Sequence, residues 1–103
     1  MTQSQLEQTL QVLEREGKEF GKWETEDKKP WIRWKSKTSR YDLFFDESGE
    51  VESIEIHKYG RHYPLVVAQF GKKTKARIYG PIGYGASRIG LLEKYLGFGF
   101  NDE

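Results

Sequence analysis

The chemistry open to this chain begins with bases set among aromatic rings. From position 28 to 41, Lys28, Lys29, Arg33, Lys35, Lys37 and Arg40 follow one another with no acid between them, and Trp31, Trp34 and Tyr41 lie in the same stretch. A second acid-free run, Ile56–Leu92, holds Lys58, Arg61, Lys72, Lys73, Lys75, Arg77 and Arg88 together with Tyr59, Tyr63 and Tyr79. Thirteen of the seventeen Lys and Arg fall in these two runs, so the net charge of +1 conceals segregated charge. Cations hold phosphates and flat rings stack on bases, which is the composition of a surface for nucleic acid, single strands before duplex. Trp, Tyr and Arg also dominate protein hot spots, so a protein-interaction or inhibitor surface built from the same residues is the alternative.

Catalytic chemistry finds less support. His57 and His62 are the only histidines; they stand five residues apart, and no third metal ligand is evident. There is no cysteine, hence no thiol nucleophile, thiolate metal site or disulfide. No Ser, Asp or Glu has a base or nucleophile at a diagnostic spacing. The sequence therefore assigns no catalytic residue, no metal and no cofactor, and the reading is of a non-enzymatic module. The glycine-rich segment from Gly80 to Gly90 offers an anion site at a helix start, with Ser87 and Arg88 as donors. It fails the dinucleotide fingerprint, because Arg88 stands where a third glycine is required. Its plainer reading is a crossing from sheet to helix with Ser87 as N-cap.

These side chains need elements to hold them. Ser4-x-x-Glu7 has the spacing of a capping box, and Leu6, Leu10 and Leu13 form one apolar stripe, which predicts a helix over about Gln5–Glu16 that stops at Gly17. Six strands follow, at Glu19–Thr25, Trp31–Ser36, Tyr41–Asp46, Val51–Tyr59, Tyr63–Phe70 and Lys75–Tyr79. The connections are short and carry turn residues, which favours antiparallel neighbours and a meander. Ile89, Leu92 and Leu96 mark a second helix over Ala86–Leu96 that stops at Gly97, with Phe98 and Phe100 packing back as a tail. The expected fold is α+β: a helix, a twisted, mainly antiparallel meander of five or six strands, and a helix. The sheet is open or curls into a half-barrel, with an OB-like barrel as the alternative. At 103 residues the chain is expected to form one domain over 1–103.

Alternation along the strands sorts the candidates onto faces. Ile32, Trp34, Ile54, Ile56, Ala76 and Ile78 turn inward. Trp31, Arg33, Lys35, His57, Tyr59, Lys75, Arg77 and Tyr79 then form an outward platform, with Arg33, Lys35, Lys75 and Arg77 for phosphates and Trp31, Tyr59 and Tyr79 for bases. Arg88 belongs to the loop site. Asp42, Phe44 and Asp46 fall on the same outward face, where Asp42 and Asp46, with Glu55, can neutralise the bases by cross-strand pairing. The acidic helix, through Glu7, Glu14 and Glu16, complements such a face on a second copy, so a homodimer is a further expectation. No apolar run reaches bilayer length and no signal peptide is evident, which predicts a cytoplasmic protein with no membrane partner.

Overall fold

The computed structural model describes residues 3–60, 66–71, 74–79 and 84–100, and the side chains of all of these except 66, 69–71, 74–79 and 84–86. The order is α1 (Gln5–Arg15), β1 (Phe20–Glu24), β2 (Pro30–Lys35), β3 (Ser39–Phe45), β4 (Val51–Lys58), β5 (Val66–Gly71), β6 (Thr74–Tyr79) and α2 (Tyr84–Leu96). The six strands form one antiparallel sheet in sequence order, β1-β2-β3-β4-β5-β6, an open meander and not a closed barrel. This is the α+β arrangement expected, and the OB-like alternative is set aside. Element ends lie within three residues of those expected, and the start of α1, the start of β4, the end of β6 and the end of α2 coincide. Pro30 opens β2, where a missing amide is tolerated. The second helix begins at Tyr84, two residues before the expected start, so Ser87 lies within its first turn instead of capping it.

The inward face follows the alternation. Ile32 and Trp34 from β2, Leu43 and Phe45 from β3, Val51, Ile54 and Ile56 from β4 and Ala68 from β5 are buried together with Val12 and Leu13 of α1 and Ile89, Leu92 and Leu96 of α2. Both helices therefore cover one side of the sheet. Phe100 is buried against this core and meets Phe98 edge-on at 5.4 Å, the packed-back tail the sequence suggested. None of the described helices is long and apolar enough to cross a membrane.

Two local devices fix the frame. The Ser4 hydroxyl accepts from the Glu7 amide at 3.1 Å, as the capping-box spacing required. The start of α1 is also tied to the β3–β4 turn. The Leu6 amide donates to the Gly49 carbonyl at 2.8 Å, the Gln5 amide to the Glu50 carboxylate at 3.1 Å, and the Val51 amide to the Gln5 side-chain oxygen at 2.8 Å. Gly49 sits at φ +85, in the left-handed region, with Ser4 Cβ only 3.0 Å from where its own Cβ would be. Any other residue there is strained and pushes α1 off the turn. At the other end of α1, the Lys18 amide closes onto the Leu13 carbonyl at 2.9 Å, which turns the chain sharply into β1.

Candidate binding surface on the open face of the sheet

The sheet face away from the helices is built from the alternate residues of the same strands. One row runs across it through the register Trp23↔Trp31, Trp31↔Phe44, Phe44↔Ser53. The next row is Gly21↔Arg33, Arg33↔Asp42, Asp42↔Glu55, and a third is Lys35↔Arg40, Arg40↔His57. The backbone register extends the first row to Gln69↔Arg77 and the second to Val67↔Tyr79.

The first row is an aromatic ladder. Trp31 lies 5.3 Å from Trp23, tilted by 47°, and 5.3 Å from Phe44, nearly parallel at 19°. The Arg33 guanidinium lies 4.9 Å from the Trp31 ring centre and 5.6 Å from that of Trp23, within cation–π range of both. Trp23 lies back along its own strand over Gly21, where any Cβ would overlap the ring atoms Cη2, Cζ2 and Cζ3. Glycine at 21 is what lets the indole lie flat against its own backbone. Trp23 nevertheless stays 47% exposed and is the most accessible ring of the ladder.

The second and third rows converge on one carboxylate. Asp42 is 1% exposed although no described helix or strand covers its face. Its Oδ1 accepts from Arg33 Nε at 2.6 Å and from Trp31 Nε1 at 3.2 Å. Its Oδ2 accepts from Arg40 Nε at 3.1 Å, with His57 Nε2 at 3.6 Å. His57 Nε2 is closer to Glu55 Oε1, at 2.9 Å. The neighbouring side chains thus bury Asp42 among themselves. Charge-assisted bonds to two guanidiniums offset the loss of water around the carboxylate. The ligand atoms of Asp42, Glu55 and His57 lie within 4.8 Å of one another, a spacing a metal ion can use. Two guanidiniums already fixed on Asp42 oppose a divalent cation there, and the cluster is built as an ion-pair network.

The expected platform residues fall as follows. Trp31, Arg33, Lys35 and His57 come together on the open face, with Lys35 exposed and the other three half-buried. Tyr59 lies in the turn just beyond β4, where its hydroxyl donates to the Ser36 carbonyl at 3.0 Å and its amide to the Thr38 carbonyl at 3.1 Å; it is 47% exposed and lies beyond the third row. Lys75, Arg77 and Tyr79 stand on the β6 backbone, and their side chains lie outside the described residues, as do His62 and the loop positions 80–83. Arg88 is on α2, in the layer that covers the opposite face, and is not brought to the Trp31 group.

Sequence reasoning passed over three contributors. Arg40 was left outside because β3 was expected to begin at Tyr41, and the strand starts at Ser39. Gly21 and Trp23 share parity on β1, and pairing through the Asp27–Pro30 turn would have set Trp23 opposite Trp31. That alternation was the available signal. The expected neutralisation by Asp42 is present, through Arg33 and Arg40.

A scan against protein-family models found no match, and searches of curated proteins and of solved structures found none. The fold and the face define an α+β protein with an open antiparallel meander, both described helices lying on one side.

Proposed function

We propose that the chain is a non-enzymatic binding module of low sequence specificity that engages single-stranded nucleic acid through the open face of its sheet. The observation that carries this reading is the group formed by Trp23, Trp31 and Arg33. It is an exposed indole held beside a guanidinium, with the ammonium of Lys35 exposed on the same face. Bases stack on such rings without hydrogen-bond readout, and cations along the edge take phosphates. The backbone register adds positions 77 and 79 to the same rows. The reading places the protein in the cytoplasm.

Asp42 limits the electrostatics. Arg33 and Arg40 share one negative charge, so fewer phosphates are neutralised than the number of bases on the face suggests. Two or three phosphates at roughly 0.7 released counterions each give an expected slope of log K against log salt of about −1.5 to −2. Fluorescence anisotropy with short poly-pyrimidine and mixed-sequence strands tests this, and absence of binding at low salt sinks the reading. A protein partner is the second reading. It is favoured by the mixed signs of the row Arg33–Asp42–Glu55, one base beside two acids, and by the hot-spot character of Trp and Arg. Binding that is strong and nearly indifferent to salt would select it. Glu7 and Glu14 of α1 and Glu16 just after it are exposed and give the positive face a counterpart in a second copy, so sedimentation of the free chain tests for the homodimer.

A further inference from the structure

We infer that the groove beside Trp23 is a subsite for one nucleotide unit, with the base on the Trp23 ring and the phosphate between Lys18 and Lys35. The inference rests on the nucleic-acid reading and makes it specific to one place on the molecule.

Three observations converge there. The groove is lined by Lys18, Phe20, Gly21, Trp23, Arg33 and Lys35, among others, and has a volume of about 840 Å³. The groove is largely open to solvent, and its volume leaves room for one nucleotide. Its charge is suited to an anion. Lys18 and Lys35 are exposed, and among the described residues neither forms an ion pair; Glu19 is the one acid in the lining. Arg33 is held by Asp42, so it serves as a flat partner for the rings, and the two lysines are left for the phosphate.

The third observation is that the stacking surface is set before any ligand arrives. Trp23 rests on Gly21 and is flanked by Trp31 and Arg33, so one side of the indole is used by the protein while almost half of the residue's surface faces water. An exposed side chain usually loses rotamer freedom on binding, at a cost of roughly 0.5–1.5 kcal/mol. A ring already held against a glycine loses less. The chain turn after α1, closed by the Lys18 amide on the Leu13 carbonyl, places Lys18 at the mouth of the same groove.

The test uses the full chain uniformly labelled with ¹⁵N, in which the three indole N–H signals and the Lys18 and Lys35 amides report separately. Uridine 5′-monophosphate should shift the Trp23 signal most, uridine should shift it at higher concentration, and inorganic phosphate alone should perturb the Lys18 and Lys35 region and leave the indole in place. Trp23→Ala should weaken the nucleotide about tenfold or more, the range of one lost base–aromatic stack. Lys18→Glu with Lys35→Glu should weaken uridine monophosphate while leaving uridine unchanged. Gly21→Ala supplies a second route, since a methyl at 21 lifts the indole off the strand. It should weaken binding while Trp23 itself is retained. If uridine monophosphate leaves the Trp23 signal in place, or Gly21→Ala and Trp23→Ala bind it as the parent does, the subsite is overturned. Should oligonucleotides then still bind with a steep salt slope, only the subsite falls and the open-face reading stands. Should the mononucleotide bind in the groove while no oligonucleotide binds, the subsite stands and the open-face reading falls. An acidic peptide that shifts Trp23 where the nucleotide does not would make the occupant a protein and overturn the inference.

Discussion

The two faces of the sheet are made from adjacent residues of the same strands and are stabilised by different physics. On β2, Ile32 and Trp34 point into the helices and are buried in hydrocarbon, whereas Trp31 and Arg33 point the other way and are held by a carboxylate and by neighbouring rings. On β3 the contrast is sharper. Leu43 and Asp42 are adjacent, and both are buried, at 0% and 1% exposure. Leu43 is buried by a second layer of structure. Asp42 has no such layer and is covered by side chains from its own sheet. Burial therefore does not by itself tell which side of a sheet is closed. The helix-covered face excludes water through shape and apolar area. The open face excludes it locally, by collecting donors around one anion.

If that distinction holds, substitutions on the two faces should fail in different ways. The largest effect is expected at Trp34, which is 3% exposed and stacked on Tyr41 at 5.3 Å. Trp34→Ala should cost about 3–5 kcal/mol, as a large-to-small change in a packed core, and urea melts should show it at any salt concentration. A loss below about 1 kcal/mol would mean the covered face is not what holds the sheet.

Asp42→Ala comes next, at about 2–3 kcal/mol. The full 3–5 kcal/mol of breaking a buried pair is reduced here because the side chains of Arg33 and Arg40 are each 30% exposed and can be rehydrated. This loss should grow in low salt, where the two freed guanidiniums repel each other, and shrink as salt is added. The opposite salt trend would break the comparison. The same variant removes the charge that neutralises Arg33 and Arg40, so it should strengthen phosphate binding even as it destabilises the fold.

Trp23→Ala should be nearly silent in stability, within about 0.5 kcal/mol, because the ring is half-exposed at an edge strand. Its effect should be on binding alone. A thermal shift as large as that of Trp34→Ala would make the ladder structural.

The smallest effect is expected at Tyr95, on the helical layer. Its hydroxyl is buried with no hydrogen-bond partner among the described residues. Tyr95→Phe should change stability by no more than about 0.5 kcal/mol and in the stabilising direction, since it removes an unsatisfied polar atom. Burial, followed by the nearby charge of Glu16, holds the Tyr95 phenol above its ordinary value. The folded state thus keeps its proton longer than the unfolded chain. The associated stability is intact below the unfolded tyrosine value of about 10 and is lost as the pH rises through the folded one. In alkaline melts Tyr95→Phe should lack this decline.

Period and punctuation were enough to determine the order of elements, the antiparallel meander and the two faces. A side-chain period of two cannot be shifted without exposing Ile32, Trp34, Leu43, Ile54 and Ile56 together, so the inward set is fixed locally. Gly17 and Gly97 end the helices for equally local reasons, and Ser4 with Glu7 starts the first. What the local pattern leaves open is which outward residues meet, because that depends on strand register and on side-chain reach across three strands. The two extra residues β3 takes, Ser39 and Arg40, bring Arg40 to Asp42, and the turn at Asp27–Pro30 sets Trp23 opposite Trp31. The first is an i, i+2 pair on one strand, legible only once Arg40 is known to belong to β3; the second has no signature within one strand. Tertiary structure alone decided that Asp42 is buried. A carboxylate on a helix-free face is expected to be solvated, and only the convergence of Trp31, Arg33, Arg40 and His57 from β2, β3 and β4 takes the water away.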